Sequence, residues 1–294
     1  MANSIALAAK FQPILDEVYK LESLTSSMDS PTKPIDNGGA SEVKVFKTSM
    51  VGLGTYSRAT GFPAGDVIGA WETVKLLAER GRAFGIDRMD NEESLGMAFG
   101  TLVGEFMRTN VAPEVDAYRF AKYASMAGIT AATPATLSSA AAMLAAVDVA
   151  SLTLDEAEVP AAGRLLFVSS TCYRLLTASI SRTVGNDSSV NRMIKTLDDM
   201  TIIPVPQARF YTAITLDSGA SANAGGFTKG AGKDINFMLL HPSARMQATK
   251  HAALKIFSPE ENQTTDGWLI QYRLYHDAWV WENKVKGIYL HNKA

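Results

Sequence analysis

Two glycines behind an alternating run are the first residues of this chain with a chemical reading. Gly52 and Gly54 in "VGLGTYSRATG" follow "EVKVFKTSMV", and the acid Glu72 lies about twenty residues further on, as in a dinucleotide-binding fingerprint. That chemistry needs the glycine turn to open straight into a helix whose N-terminus holds the pyrophosphate. Here Gly61, Pro63, Gly65 and Gly69 follow, and such residues spoil a helix throughout the window. The stretch therefore predicts the tip of a long two-stranded hairpin, and no cofactor is expected.

The remaining reactive residues also have structural readings. Asp87, Asp90, Glu92 and Glu93 could gather a divalent cation, but the EF-hand spacing with its central glycine is absent. Asp90 or Asn91 instead caps a helix, with Glu92 and Glu93 at the positive end of its dipole. "TKGAGKD" ends in Gly-x-Gly-Lys without the spacing of a P-loop, and no helical Ser or Thr follows Lys233. Cys172, at the start of the amphipathic helix "SSTCYRLL", reads as a packed thiol rather than a nucleophile. His276 and Asp277 are adjacent on an expected strand, so their side chains point to opposite faces. No nucleophile, base and orienting group emerge together, and no catalytic residue and no metal are expected.

The elements that must position these residues follow from composition and period. The chain has 294 residues, 47% hydrophobic and 20% charged, with a net charge of -2, which is ordinary for a globular protein. That balance argues against a protein whose main task is gripping nucleic acid. A single cysteine excludes an intrachain disulfide. No secretion signal and no run of about 18 apolar residues is apparent, so synthesis in the cytoplasm and no membrane contact are expected.

Phe11, Leu15, Val18 and Leu21 predict an amphipathic helix over residues 5–24, and "TSSMDSPTKPIDNGGAS" predicts an extended connector. "EVKVFKTSMV" and "WETVKLLAERGRAFGID" are the two legs of the hairpin, with Tyr56, Phe62 and Trp71 near its tip. A ribbon of this kind buries little by itself, so large apolar groups on it call for a surface from another subunit. Leu95, Phe99, Leu102, Val103 and Phe106 share a face of a long helix, and a second helix starts afresh at Pro113 and leaves at Gly128.

From Pro134 the pattern is mixed α/β. "PATLSSAAAMLAAVDVASL", "STCYRLLTAS" and "PSARMQATKHA" are expected helices, and "RLLFVSS", "TIIPVPQARFYT" and "DINFMLLH" are expected strands. "DSGASANAGGFTKGAGKD" is expected to be a flexible loop. "ALKIFSP", "GWLIQYRLYHDAWVWEN" and "KGIYLHNK" complete the chain as an antiparallel meander.

Four stretches in this order resemble a tailed-bacteriophage major capsid protein of the Hong Kong 97-like fold. They are "GLGTYSRATGFPAGDVIGAWETVKL", "RGRAFGIDRMDNEES", "FMRTNVAPEVDAYRFAKYA" and "WLIQYRLYHDAWVWENKVKGIYLH". The resemblance spans essentially the whole chain. It implies an α+β fold with an N-arm (1–40), an extended hairpin or E-loop (41–87), and a peripheral P-domain with a spine helix from about Asn91 to Thr109 (88–128). An axial A-domain of mixed α/β structure (129–243) and the P-domain return strands with the C-terminus (244–294) complete it. Gly52 and Gly54 would let the E-loop turn and lie flat across a neighbouring subunit.

The function so implied is a structural subunit, not an enzyme, that self-assembles into hexamers and pentamers of an icosahedral phage head. The head encloses double-stranded DNA without sequence-specific binding, and the subunit is made and assembled in the host bacterial cytoplasm before residing in the virion. Tyr56, Arg58, Phe62, Trp71, Arg80, Arg82 and Arg88 are the expected inter-subunit contacts, the arginines by ion pairs to a neighbour's carboxylates.

Some forty residues precede the E-loop, which is short for the self-scaffolding members, so a separate scaffolding protein is expected beside a portal and a decoration protein. Lys44, Lys47 and Lys75 have no recognisable partner Asn or catalytic acid, and no Lys–Asn crosslink is expected. An encapsulin-like compartment of the same fold and a nucleotide-binding α/β enzyme are the alternatives.

Overall fold

The computed structural model of the protein describes residues 23–28, 42–89, 103–179, 195–220 and 225–294. Strands β1 (Glu42–Met50) and β2 (Val67–Lys75) pair antiparallel without a slip, from Glu42 opposite Lys75 to Met50 opposite Val67. The return leg starts at Val67, earlier than its sequence implies, and "WETVKLLAERGRAFGID" breaks at Leu76–Leu77. Beyond the break, β3 (Ala78–Asp87) leaves the hairpin for another sheet. Two pins make the break. The Tyr275 hydroxyl donates to the Leu76 carbonyl at 3.0 Å, and the Leu77 N–H donates to buried Asp277 at 2.9 Å. Backbone groups held this way need no ladder to β1.

Helix α1 (residues 103–125) is continuous where two helices were expected. Its turn Met107–Val111 is π-helical and runs directly into the α-helical Ala112–Ser125, with the Ala112 N–H reaching the Met107 carbonyl. Pro113 supplies no N–H and its ring crowds the preceding turn, so a widened turn just before it lets the helix pass through rather than restart. The expected start of this helix, with its caps, falls in 90–102 and lies outside the described residues. At the exit, Gly128 is left-handed (φ 88°), as expected.

A short pair β4 (Thr130–Ala131), helix α2 (Ala140–Glu156), strand β5 (Leu165–Ser169) and helix α3 (Ser170–Ser179) follow. α2 begins at Ala140 rather than Pro134, because the Ser139 hydroxyl caps it by accepting from the Ala142 N–H at 3.2 Å. Then come β6 (Thr196–Leu197), β7 (Met200–Val205), β8 (Ile214–Leu216), β9 (Phe227–Lys229) and β10 (Ile235–Leu240). The glycine- and serine-rich segment 217–234 is thus not all loop, since β9 pairs with β8 inside it.

Strands β11 (Arg245–Phe257), β12 (Gly267–Val280) and β13 (Ile288–Asn292) close the chain. "PSARMQATKHA" is not a helix. A single 3-10 turn at Pro242–Ala244 leads into β11, which pairs along nearly the whole of β12. Local helix propensity there is worth only tenths of a kcal/mol per residue. A full-length partner that buries Met246 and Ala248 against Trp279 outweighs it.

β13 does not continue a meander either. Its buried Ile288, Tyr289 and Leu290 join the central sheet.

That central sheet has six strands in the order β4-β13-β10-β5-β7-β6 and is covered on both faces. Every residue of β10 is buried, as a continuous apolar run predicts. Phe237 and Leu239 face α2 and α3, whereas Met238 and Leu240 face Phe120 and Tyr123 at the C-terminal half of α1. The N-terminal half of α1, through Val103, Met107, Val111 and Val115, covers Ile270 and Leu274 of the three-stranded sheet β11-β12-β3. One helix therefore bridges both sheets.

The segment Ser23–Met28 is docked on α1, while the expected helix 5–24 lies almost wholly outside the described residues. Asp116 is fully buried and accepts from the hydroxyls of Ser23 (2.8 Å) and Thr25 (2.7 Å). It also accepts from the backbone N–H groups of Leu24 (3.1 Å) and Thr25 (3.2 Å), and it pairs with Arg209 at 3.4 Å. Buried Arg119 donates to the Thr25 hydroxyl at 2.7 Å, and Met28 is buried in the main core.

His276 and Asp277 both meet Tyr118 without forming a dyad. Asp277 accepts from the Tyr118 hydroxyl at 3.0 Å, and the His276 ring lies edge-on to Tyr118, centroids 5.2 Å apart. Burial, reinforced by the cations Arg119 and Arg80, pushes the His276 pKa down from 6.5 to about 3. The unfolded chain therefore binds this proton first as pH falls. His276 then withdraws about 1.4 kcal/mol of stability per pH unit below about pH 6.5, a loss complete only near pH 3. Urea unfolding at pH 7 and pH 5 is expected to differ by roughly 2 kcal/mol from this group, and His276→Phe should remove that difference.

Candidate interaction surface

The surface of interest is the hairpin, because period two and strict pairing leave its apolar side chains largely exposed on the isolated subunit. Phe46 stands opposite Trp71 and Met50 opposite Val67, so these four share one face. Their exposure is high: 53% for Phe46, 71% for Met50, 69% for Val67 and 63% for Trp71. Ile68 is 65% exposed on the opposite face, so apolar side chains are open to solvent on both sides of the ribbon. Phe46 and Trp71 pack ring against ring, centroids 5.1 Å apart. Trp71 thus lies mid-strand rather than near the tip.

Gly69 makes room for this pair. A Cβ there would sit 2.5 Å from the Phe46 ring. Gly69→Val is expected to push Phe46 off the face and impair association. The subunit itself should melt within about 0.5 kcal/mol of the parent, since the site is at the surface. Melting curves and light scattering on the same samples check both halves.

At the tip, Ser57 and Gly61 exchange two backbone hydrogen bonds of 3.2 and 2.8 Å around "SRATG". The left-handed residue of that turn is Gly61 (φ 80°), the conformation only glycine adopts freely. Gly52 and Gly54 do not make the turn. Gly54 is needed for close approach instead, since a Cβ there would fall 2.6 Å from the Pro63 ring. Both glycines lie between two antiparallel strands with no helix after them, so they form no dinucleotide turn. The Tyr56 and Phe62 rings meet at a tilt of 59°, centroids 4.9 Å apart, Phe62 is 88% exposed and Leu53 fully exposed.

The expected contact residues divide by strand. Tyr56, Arg58, Phe62 and Trp71 are exposed on the hairpin, and Arg58 makes no ion pair among the described residues. Arg80 and Arg82 are on β3, outside the hairpin. Arg80 forks onto Glu114 of α1 at 2.5 and 3.2 Å and also reaches the carbonyls of Asp217 (2.7 Å) and Gly226 (3.2 Å). Arg82 reaches the Gly219 carbonyl at 3.5 Å. These two arginines act within the subunit, tying the β8–β9 turn to α1 and β3. Arg88 is exposed just past β3.

Sequence reasoning passed over Phe46, Met50, Leu53, Val67 and Ile68. Matching the two legs of the hairpin residue against residue would have put Phe46 with Trp71. At the hairpin base, Val74 and Leu76 pack with Trp279 and Met246, and further along the ribbon Lys47 forms an ion pair with Glu282.

Beside the Arg80 fork lies an open cleft of about 480 Å³ between β3, α1 and the β8–β9 turn. Its apolar part is Phe84, Phe106 and Tyr272, with Phe106 edge-on to Phe84 at 4.8 Å and to Tyr272 at 6.1 Å. Cys172 is buried, and burial pushes its thiol pKa up, as a packed residue requires. Among the described residues no three His, Cys, Asp or Glu gather as a metal site, and no helix is long and apolar enough to cross a membrane.

No protein-family model and no curated protein matches the chain. Solved structures match it over most of its length. A structure from Mycobacterium phage Che8 is 16% identical, covering 92% of this chain and 91% of its own, at a TM-score of 0.64. The mature capsid of bacteriophage PhiM1 is 13% identical over 92% of this chain and 87% of its own, at 0.61. A virus-like particle from Pyrococcus furiosus is 11% identical over 97% of this chain and 98% of its own, at 0.55. The chain thus has an α+β fold of the Hong Kong 97-like kind, as its sequence resemblance implies.

Proposed function

We propose that this chain is the major capsid protein of a tailed phage, a shell subunit that assembles into hexamers and pentamers of an icosahedral head around double-stranded DNA. The observation that carries this reading is the hairpin: a ribbon exposing apolar side chains on both faces, in a chain that shares its fold with a mature phage capsid. A monomer gains nothing from such a ribbon, whereas a lattice covers it. Residues 41–87 are then the E-loop with its root, 88–128 and 244–294 the P-domain, 129–243 the A-domain, and 1–40 the N-arm.

Ring contacts close around the A-domain, and hairpin and arm overlap neighbouring subunits. Each contact is weak alone and is reinforced by the others in the closed shell. Tyr56, Arg58, Phe62, Trp71 and Arg88 form the inter-subunit set, and Arg80 and Arg82 support it from within. The net charge of -2 suits a container, because each added cation on the lining would add counterion-release affinity for the packed DNA. A scaffolding protein, a portal and a decoration protein are the other partners, and the shell holds neither catalytic site nor cofactor.

The virus-like particle from Pyrococcus furiosus, matched end to end, supports a second reading as an encapsulin-like compartment. Negative-stain electron microscopy with size-exclusion chromatography tests the shell. Shells, tubes or rings of five or six are expected, and a monomer that never associates, even with a scaffold, overturns the proposal. Nuclease-protected DNA inside the particles separates a phage head from a compartment filled with protein.

A further inference from the structure

We infer that Met50 is an oxidation site that gates association: its sulfoxide closes the hairpin face to a second copy of this chain, an assignment that rests on the shell-subunit reading. Methionine is the residue type whose character on an apolar face is reversed by one added atom, because oxidation turns a flexible thioether into a polar, chiral group. Burial sorts the described methionines. Met28, Met107, Met143, Met200, Met238 and Met246 are buried, whereas Met50 is 71% exposed and Met89 62%. Of the exposed two, Met50 alone lies on the hairpin, opposite Val67 and on the face that carries Phe46 and Trp71. Met89 lies just past β3 and is the internal comparison.

The step needs only a hydroperoxide. The Met50 thioether sulfur attacks a peroxide oxygen, an S–O bond forms as the O–O bond breaks, and the departing hydroxide takes up a proton to become water. Sulfur is oxidised by two electrons and the peroxide is reduced by two. Access to the sulfur decides which methionines react, so burial protects the other six. Cys172 does not compete, because it is buried and its raised pKa leaves little of the thiolate that peroxide attacks. A thiol-dependent sulfoxide reductase reverses the step, releasing the oxygen as water while two thiols become a disulfide.

The consequence falls on association rather than on folding. On the free subunit the sulfoxide oxygen stands in water and costs nothing. Once a neighbour covers the face, that oxygen must give up its water on a surface dominated by apolar side chains. A closed shell repeats this in every copy, so a modest effect at one contact is felt throughout the lattice.

The test treats the full, unassembled chain with hydrogen peroxide, quenches it, and reads peptides by mass spectrometry beside light scattering across a concentration series. One added oxygen is expected on Met50 and on Met89 and none on Met143, Met200 or Met238, with the melting temperature unchanged. The oxidised chain should need an at least tenfold higher concentration to assemble, equivalent to about 1.4 kcal/mol. Sulfoxide reductases of both stereospecificities with dithiothreitol should return the parent's value. Met50→Leu sets its own assembly concentration, and peroxide should leave that value where it is although Met89 still oxidises. A Met50→Leu chain that peroxide disables as it does the parent overturns the gate. So does a parent oxidised at Met50 that assembles at its untreated concentration, or a Met50 that stays unmodified while Met89 reacts. A lowered melting temperature places the damage in the core and overturns it as well. These results leave the shell reading intact. An untreated parent that forms no particle, ring or tube, even with a scaffold, removes the shell reading and the gate with it.

Discussion

An Asp116→Ala chain is expected to be about 3–5 kcal/mol less stable than the parent, because the substitution breaks a buried charged cluster from one side only. Two hydroxyls, two backbone N–H groups and Arg209 all point at this carboxylate, which no water reaches. Each donor left behind keeps its desolvation cost with nothing to offset it. Against a typical total of about 5–15 kcal/mol the loss is severe, with a fall in melting temperature on the order of 10 °C.

Thr25→Val, which removes one hydroxyl, should cost nearer 1 kcal/mol. Limited proteolysis should separate the two variants as well, with cleavage near Ser23–Met28 appearing in Asp116→Ala. An Asp116→Ala protein that melts within 2 °C of the parent would show that this segment does not depend on the carboxylate. The expected result bears on the N-terminal segment. Its last described turn belongs to the folded body, so Δ1–22 should fold whereas Δ1–28 should behave like Asp116→Ala.

Trp71→Ala is expected to do the opposite: spare the subunit and disable its association. Trp71 is 63% exposed and touches mainly Phe46, so the isolated subunit should lose no more than about 0.5 kcal/mol. If the ring is an anchor against a neighbour, truncation costs about 2–4 kcal/mol per contact. At 1.4 kcal/mol per factor of ten, the concentration needed for assembly rises at least tenfold. Light scattering across a concentration series reads this directly.

Trp279→Ala gives the contrast. That side chain is 5% exposed in the cluster at the hairpin base, and truncating it should cost about 3–5 kcal/mol of subunit stability. A Trp71→Ala protein that assembles at the parent's concentration would remove the hairpin face from the interface.

Much of the fold could be read in the chain itself. Period-two alternation from Glu42 to Met50 marked a strand, the unbroken apolar run of 235–240 marked a doubly covered one, and the glycines and proline of 52–65 ruled out a helix. These signals are local, set by steric preference and by the spacing of side chains on one face. The exposure of the hairpin's aromatic residues was legible too, since Tyr56, Phe62 and Trp71 had nothing nearby in sequence to bury them.

What the sequence alone could not decide were the outcomes of competition between distant segments. The residues of 245–252 favour a helix locally and became a strand because β12 offered a full-length partner. Leu76 and Leu77 look like mid-strand residues and became a junction because Tyr275 and Asp277 hold their backbone. Pro113 looks like a helix start and sits inside a helix because one widened turn absorbs it. Arg80 looks like a surface cation and is committed to Glu114 and two carbonyls of a distant turn. In each case the local preference is worth a fraction of a kcal/mol to about 3 kcal/mol, and burial or hydrogen bonding supplied from across the fold outweighs it. Composition and period therefore determined most of the elements and the apolar, exposed character of the hairpin, while packing decided where the strands pair, where the hairpin ends and which arginines bond within the subunit.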